Sequence, residues 1–314
     1  MATNFDITAL SGYVQENKFD LIGRTVLNTK LAENMTLKPG LQGEKVRITL
    51  MSDDFNAQEA SCGWGATGST LLTKVDMDLY HAEVERAYCP DSLRDTWLAE
   101  KLKSGAQFGN EQLPEEQVFA EYFVKNLQKW NEGFLIKGAG SVTGIQSQLV
   151  AAEGGSYAPV LGDDYKWVAG ESATASGNVN ALEGAMAMFA AMPFEIALAD
   201  DQVLVVNPAD YKALVAAMVN ANLFHYTGDV SEVIIPGTKI KVIPTSGITQ
   251  ETDGKNFRFL TTTSNMILGT DLVSDFDVFD VWYSKDNREV RAAMKWTIGV
   301  AVVEPNLCVT ENAN

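Results

Sequence analysis

Residues that carry chemistry at neutral pH are scarce in this sequence. His81 and His225 are the two histidines in 314 residues. They stand too far apart for the paired spacing of a metal motif, and each reads as a surface or contact histidine. Cys62, Cys89 and Cys308 are odd in number and widely spaced. That pattern excludes a disulfide framework and a zinc site, and it points to a reducing compartment. No serine stands in the strand–G-x-S-x-G–helix setting of a nucleophile elbow. Positive charge is also short: 24 Lys and Arg face 41 Asp and Glu, a formal net charge of −17. A nucleic-acid reader neutralises phosphates with a basic stripe, so the chain is not read as one. An acidic wall can still enclose nucleic acid without gripping it. No apolar run approaches the roughly 18 residues of a membrane span. The opening MATNFDITAL lacks the basic and apolar regions of a secretory signal.

Glycine is what the chain does have at one conspicuous place. In FLIKGAGSVTGIQSQLVAAEGG (134–155), Gly138, Gly140 and Gly144 follow an apolar run, and Asp163 and Asp164 come about 20 residues later. A dinucleotide cradle would use such glycines, but it wants a buried strand before them and a long helix after. Here the long helix comes first, and the one that follows is cut at Gly154 and Gly155. The glycines therefore read as a turn, and the nucleotide enzyme remains as the alternative.

Hydrophobic periodicity supplies the elements. Residues 1–43 read as a polar, mixed arm, ordered only where it meets something else. Phe19, Ile22, Val26 and Leu27 make a short amphipathic stretch in it, and KPGLQG ends it. KVRITLM alternates, with Val46, Ile48 and Leu50 on one face. A loop, SDDFNAQEASCGWGATGS, leads to a second alternating run from Thr70 to about Tyr88. In it Val75, Met77 and Leu79 oppose Lys74, Asp76, Asp78 and Tyr80. Together they read as a hairpin. The second run would reach roughly 60 Å at about 3.3 Å per residue, too long for its own chain to cover.

Pro114 opens the clearest helix, a spine over about 115–134 with Phe119, Phe123, Leu127, Trp130 and Phe134 on one side. Further on, VNALEGAMAMFAAM carries Leu182, Met186 and Phe189. The strand VLVV leads into a helix capped by Asn207 and opened by Pro208, with Tyr211, Leu214, Val215 and Met218 inward. Short strands follow at EVII, KIKVI, FRFLTT and NMIL. The last strand has the cleanest two-residue period, with Val290, Ala292, Met294, Trp296, Ile298, Val300 and Val302 on one face and Arg291, Lys295 and Thr297 on the other. The class is α+β.

Two further features were weighed for function. In DLVSDFDVFD, Asp275 and Asp277 share a strand face and Asp280 takes the other. Without a loop glycine and spaced ligands the run reads as solvated, not as a cation site. Trp64 stands in CGWGATG at the tip of the hairpin loop, where docking into a neighbour competes with chance exposure.

The order of these elements resembles the major capsid proteins of tailed bacteriophages, whose fold is shared by encapsulin nanocompartments. CPDSLRDTW resembles the segment that leads to the family's spine helix, and GFLIKGAGSVTGI its ending in a G-x-G turn. QVLVVNPADYKALVAAM resembles the axial strand and helix, EVIIPGTKIKVIPTSGI the strand pair beyond them, and WTIGVAVVEPNLCV the C-terminal strand. The resemblance implies an N-terminal arm (1–43), an extended loop (44–80), a peripheral domain (81–165), an axial domain (166–274) and returning strands (275–314).

It further implies a structural protein and no enzyme, with no cofactor and no metal. Copies would form pentamers and hexamers of an icosahedral shell around double-stranded DNA, assembled in the host cytoplasm and located in the virion. Partners would be the chain itself, a scaffold protein, a portal and a decoration protein. No long scaffolding segment stands ahead of the arm in this sequence; if it is the whole gene product, the resemblance implies a separate scaffold. Candidate subunit contacts are Phe55, Trp64, Lys74, Asp76 and Tyr80 in the loop and Phe19 and Arg24 in the arm. Lys74 also matches, by position alone, the loop lysine that some relatives crosslink. An encapsulin-like compartment and a tail or decoration component stay open beside the capsid.

Overall fold

The computed structural model describes residues 29–41, 43–53, 70–88, 114–153, 160–161, 165–170, 177–221, 223, 233–271, 278–284, 286–287 and 289–311. The chain first forms β1 (Thr36–Lys38), β2 (Lys45–Asp53) and β3 (Thr70–Tyr88), then helix α1 (Pro114–Lys137). A small hairpin, β4 (Gly138–Ala139) and β5 (Val142–Thr143), leads to α2 (Ile145–Ala152). Next come β6 (Val160–Leu161), β7 (Lys166–Val168), β8 (Asn178–Asn180), α3 (Ala181–Ala190) and the short α4 (Phe194–Ala197). Strand β9 (Gln202–Val206) and α5 (Pro208–Asn220) precede β10 (Val233–Ile234), β11 (Lys241–Pro244), β12 (Arg258–Thr262) and β13 (Met266–Thr270). The chain ends in β14 (Val278–Ser284), β15 (Glu289–Val302) and β16 (Val309–Glu311).

Strand β15 organises the first sheet. It lies between β3 on one side and β13 and β14 on the other, and the sheet runs β1-β13-β15-β3-β2. Its alternation dictates its packing. Ala292, Met294, Trp296, Ile298, Val300 and Val302 enter the main core beneath α1 and α2. The opposite face is covered near its end, where Ala301 meets Ile48, Met77, Leu79 and Ile267 in a small second cluster. Thr297 is also buried, its carbonyl accepting from Thr270 Oγ1.

The spine helix runs past the expected end to Lys137. At about 1.5 Å per residue its 24 residues span about 36 Å. Phe123, Leu127 and Phe134 point inward as their spacing predicts, joined by Val124 and Leu135. Trp130 sits at the edge of this face, crossing Trp296 edge to face with ring centroids 5.7 Å apart. Gly138 and Gly140 then take left-handed φ values of 80° and 60°. A Cβ on Gly138 would overlap the Val142 carbonyl oxygen, and one on Gly144 would overlap the Ile136 carbonyl. The chain's own backbone fills the space a phosphate would need, so the stretch is a turn that ends the spine.

The second sheet has the order β10-β11-β9-β12-β16-β6. Both its faces are covered, which explains the unbroken apolar run in β9. Val203 and Val205 face the spine-side core. Leu204 and Val206 face a second core built with α3 and α5. Asn207 caps α5, accepting from the Ala209 amide at 2.8 Å, while its own amide donates to the Ile248 carbonyl.

Three expectations differ from the fold. Residues 29–41 of the arm meet their own chain: Leu31, Ala32 and Met35 are buried in the main core, and β1 adds a parallel edge to β13. Apolar side chains close to a free strand edge supply the reason. The long strand β3 is only partly without cover, because Leu79–Tyr88 pair with β15. In α3 the inward face is Ala181, Gly184, Ala185 and Met188, with Leu182 and Phe189 half-buried and Met186 exposed. Small residues win there because Trp167 lies against the helix; a Cβ on Gly184 would stand 2.5 Å from Trp167 Nε1.

Candidate functional site

Two places combine unusual geometry with charge: the outer half of the β2–β3 hairpin and a buried cluster around Arg258. In the hairpin, pairing with β15 stops at Leu79. From Thr70 to Asp78, β3 pairs among the described residues only with Lys45–Asp53 of β2. The register sets opposite characters on the two faces. Lys45 lies across from Asp78, Arg47 from Asp76 and Thr49 from Lys74. Lys45 Nζ approaches Asp78 Oδ1 at 3.1 Å, and Arg47 Nε donates to Asp76 Oδ1 at 2.8 Å. The Arg47 hydrogen bond holds the Asp76 carboxyl below its ordinary range and raises the guanidinium in return. Such exposed pairs contribute about 0–1 kcal/mol. They fix register more than they stabilise.

On the other face, Ile48, Met77 and Leu79 are buried only near the root. At the root of the charged face, a groove of about 330 Å³ is lined by Asp76, Asp78, Thr143, Ser147, Gln148 and Val300 among others. Leu72, on the charged face beyond Lys74, is 60% exposed. A two-stranded ribbon with an open apolar side chain is marginal alone in water.

The candidate contact residues separate clearly. Lys74 and Asp76 stand on the exposed charged face. Tyr80 instead turns onto the spine of its own chain, with ring centroids 5.4 Å from Phe134 and 6.1 Å from Trp130. The even side of β3 passes from solvent to the main core at that residue, so its ring is engaged within the subunit. Phe19, Arg24, Phe55 and Trp64 lie outside the described residues, as do His225, Asp275 and Asp277. His81 shares a 3.0 Å hydrogen bond with Thr297 Oγ1 across β3 and β15. Asp280 is exposed on β14. Among the described residues, no three His, Cys, Asp or Glu side chains form a group that could hold a metal ion. Among them also, no helix is long and apolar enough to cross a membrane.

The Arg258 cluster has no forerunner in the sequence reading. Arg258 Nε donates to Asp210 Oδ2 at 2.9 Å, and Nη1 donates to Glu311 Oε2 at 3.1 Å and to the Tyr165 carbonyl at 2.9 Å. The guanidinium carbon lies 4.5 Å from the centre of the Trp167 ring, whose Nε1 donates to Glu311 Oε2 at 3.2 Å. Asn256 Nδ2 closes the circuit on Asp210 Oδ1 at 3.0 Å. The three ionisable side chains are 0–4% exposed. Burial pushes the Glu311 carboxyl up to about 7, against the pull of Arg258. The available hints were an arginine in the strand FRFLTT and an acid in the first turn of a helix, each unremarkable alone. Cys308, also buried, is pushed up to about 12 by burial and behaves as a core residue.

No protein-family model and no curated protein matches this sequence. Solved structures do match in fold. A chain of the satellite phage P4 procapsid including size determination (Sid) protein aligns with TM-score 0.59 and 11% identity, over 99% of this chain and 97% of that one. A Gordonia phage Cozz chain gives 0.55 and 11%, over 90% and 85%. The holo-SrpI encapsulin complex from Synechococcus elongatus gives 0.53 and 10%, over 92% and 89%. A sheet built around β15, a spine ended by a glycine turn, an extended hairpin and a second sheet under α3 and α5 thus make up the α+β fold shared by phage capsid proteins and encapsulins.

Proposed function

We propose that this chain is a structural shell protein whose copies form the pentamers and hexamers of an icosahedral capsid enclosing double-stranded DNA. The observation that carries this reading is the outer half of the hairpin: nine residues of β3 whose ladder partner among the described residues is β2 alone, with Leu72 exposed. A neighbouring copy laid along this ribbon would bury what the subunit leaves open. Shell assembly favours many modest contacts over one tight pair, because misplaced subunits must be able to leave. The surplus of negative charge supports a container that holds DNA without binding it, filled by a separate motor. A scaffold protein, a portal and a decoration protein are the partners this reading expects, with assembly in the host cytoplasm and residence in the virion.

The fold match to an encapsulin favours one second reading, a cargo-holding compartment. Negative-stain microscopy of the purified chain, followed by extraction of the contents, tests both. Closed shells co-produced with packaging proteins and containing DNA fit the capsid. Closed shells holding a dedicated cargo protein and excluding DNA fit the compartment. Rings, tubes or surface knobs would point to a tail or decoration component. A lone monomer that binds nucleotide saturably would overturn the shell reading.

A further inference from the structure

Two carboxylates share one guanidinium in the Arg258 cluster, and that imbalance has a consequence. Glu311 is the last residue of β16, and its Cα partner across the ladder is Arg258 of β12. On its other side β16 pairs with β6. Strand β16 is held by three residues of ladder, by Val309 in the second core, and by Glu311, whose side chain reaches into the cluster. The groups that bear on the Glu311 carboxyl are Arg258 from β12, Asp210 from α5 and the non-titrating indole of Trp167 from β7. With Glu311 protonated, Asp210 and Arg258 form a balanced buried pair. With Glu311 ionised, the cluster carries a net negative charge among side chains 0–4% exposed, where an uncompensated charge is costly.

We infer that Glu311 is a proton-controlled latch: its protonated form seats the C-terminal strand β16 firmly between β12 and β6, and its ionisation loosens that strand. The direction follows from linkage. The folded value of about 7 lies above the ordinary 4.5, so the native state holds a proton that the opened strand releases. The stabilisation is complete below about pH 4.5, falls as pH rises, and is gone above about pH 7. The latch does not depend on what the shell contains or on whether one forms.

Hydrogen exchange on the full-length protein, corrected for the intrinsic pH dependence, reads the latch directly. Between about pH 5 and pH 8, the opening constant of the Val309–Glu311 amides should rise on the order of a hundredfold. β9, away from Glu311, should change far less. Glu311→Gln, which keeps an acceptor for Arg258 and Trp167 without the charge, should abolish the step. Asp210→Asn should move the step to lower pH by leaving Arg258 to Glu311 alone. Unchanged protection of Val309–Glu311 in the wild-type protein would overturn the inference, and so would an undiminished step in Glu311→Gln. The wild-type measurement stands even if a variant fails to fold.

Discussion

Strand β3 joins two regions built on opposite terms. From Leu79 to Tyr88 it pairs with β15, in a sheet whose inner face meets the spine through Trp296, Trp130 and Phe134. From Thr70 to Asp78 the same strand pairs with β2 instead and carries exposed ion pairs and an open leucine. The inner half is stabilised by burial at about 25 cal/mol per Å² of apolar surface. The outer half has such burial only near its root, at Ile48 and Met77, and beyond them keeps its shape through register and hydrogen bonds. On the proposed reading, the change at Leu79 divides what the subunit covers itself from what a neighbouring copy would cover.

Mutation should expose that asymmetry. Trp296 is fully buried and donates to Asn131 Oδ1 at 3.1 Å. Trp296→Ala should cost about 3–5 kcal/mol in chemical denaturation, because it leaves a cavity and removes the indole's hydrogen bond to the buried Asn131. Arg258→Met should cost about 3–5 kcal/mol as well, since two buried carboxylates lose their cation. If Arg258→Met were neutral, the cluster would be an ornament of the fold and not one of its supports. Smaller in stability but larger in assembly is Leu72→Ser. It should shift the unfolding midpoint by no more than about 0.5 kcal/mol while sharply reducing shell yield. The loop residue Trp64 should behave in the same way when changed to Ala. Equal shell yields from wild type and both variants would remove the hairpin from the assembly account. The smallest effect belongs to Arg47 and Asp76, whose double-mutant cycle should give about 0.2–1 kcal/mol.

Much of this organisation was legible because period and burial coincide. The alternation from Ala292 to Val302 becomes the buried face of β15, and the three-to-four spacing from Phe123 to Phe134 becomes the inner face of the spine. The G-x-G stretch was legible because a glycine turn after a long helix differs in order from a phosphate cradle. Two kinds of feature were not. The inward face of α3 is defined by small residues, and a hydrophobicity pattern does not register that Trp167 needs the absence of a Cβ at Gly184. The Arg258 cluster joins residues 210, 258 and 311 across three elements, and no local spacing links an arginine to acids 48 and 53 positions away. Residues 29–41 misled for a related reason. Their few apolar side chains looked too sparse for a core but meet one already built by β13 and β15.

Hydrogen exchange along β3, in isolated subunits and in assembled particles, tests the central claim most directly. Leu79–Tyr88 should be protected in both states. Thr70–Asp78 should exchange rapidly in the subunit and become protected on assembly. Equal, strong protection of both halves in the isolated subunit would mean that the hairpin needs no companion, and the assembly account would fail.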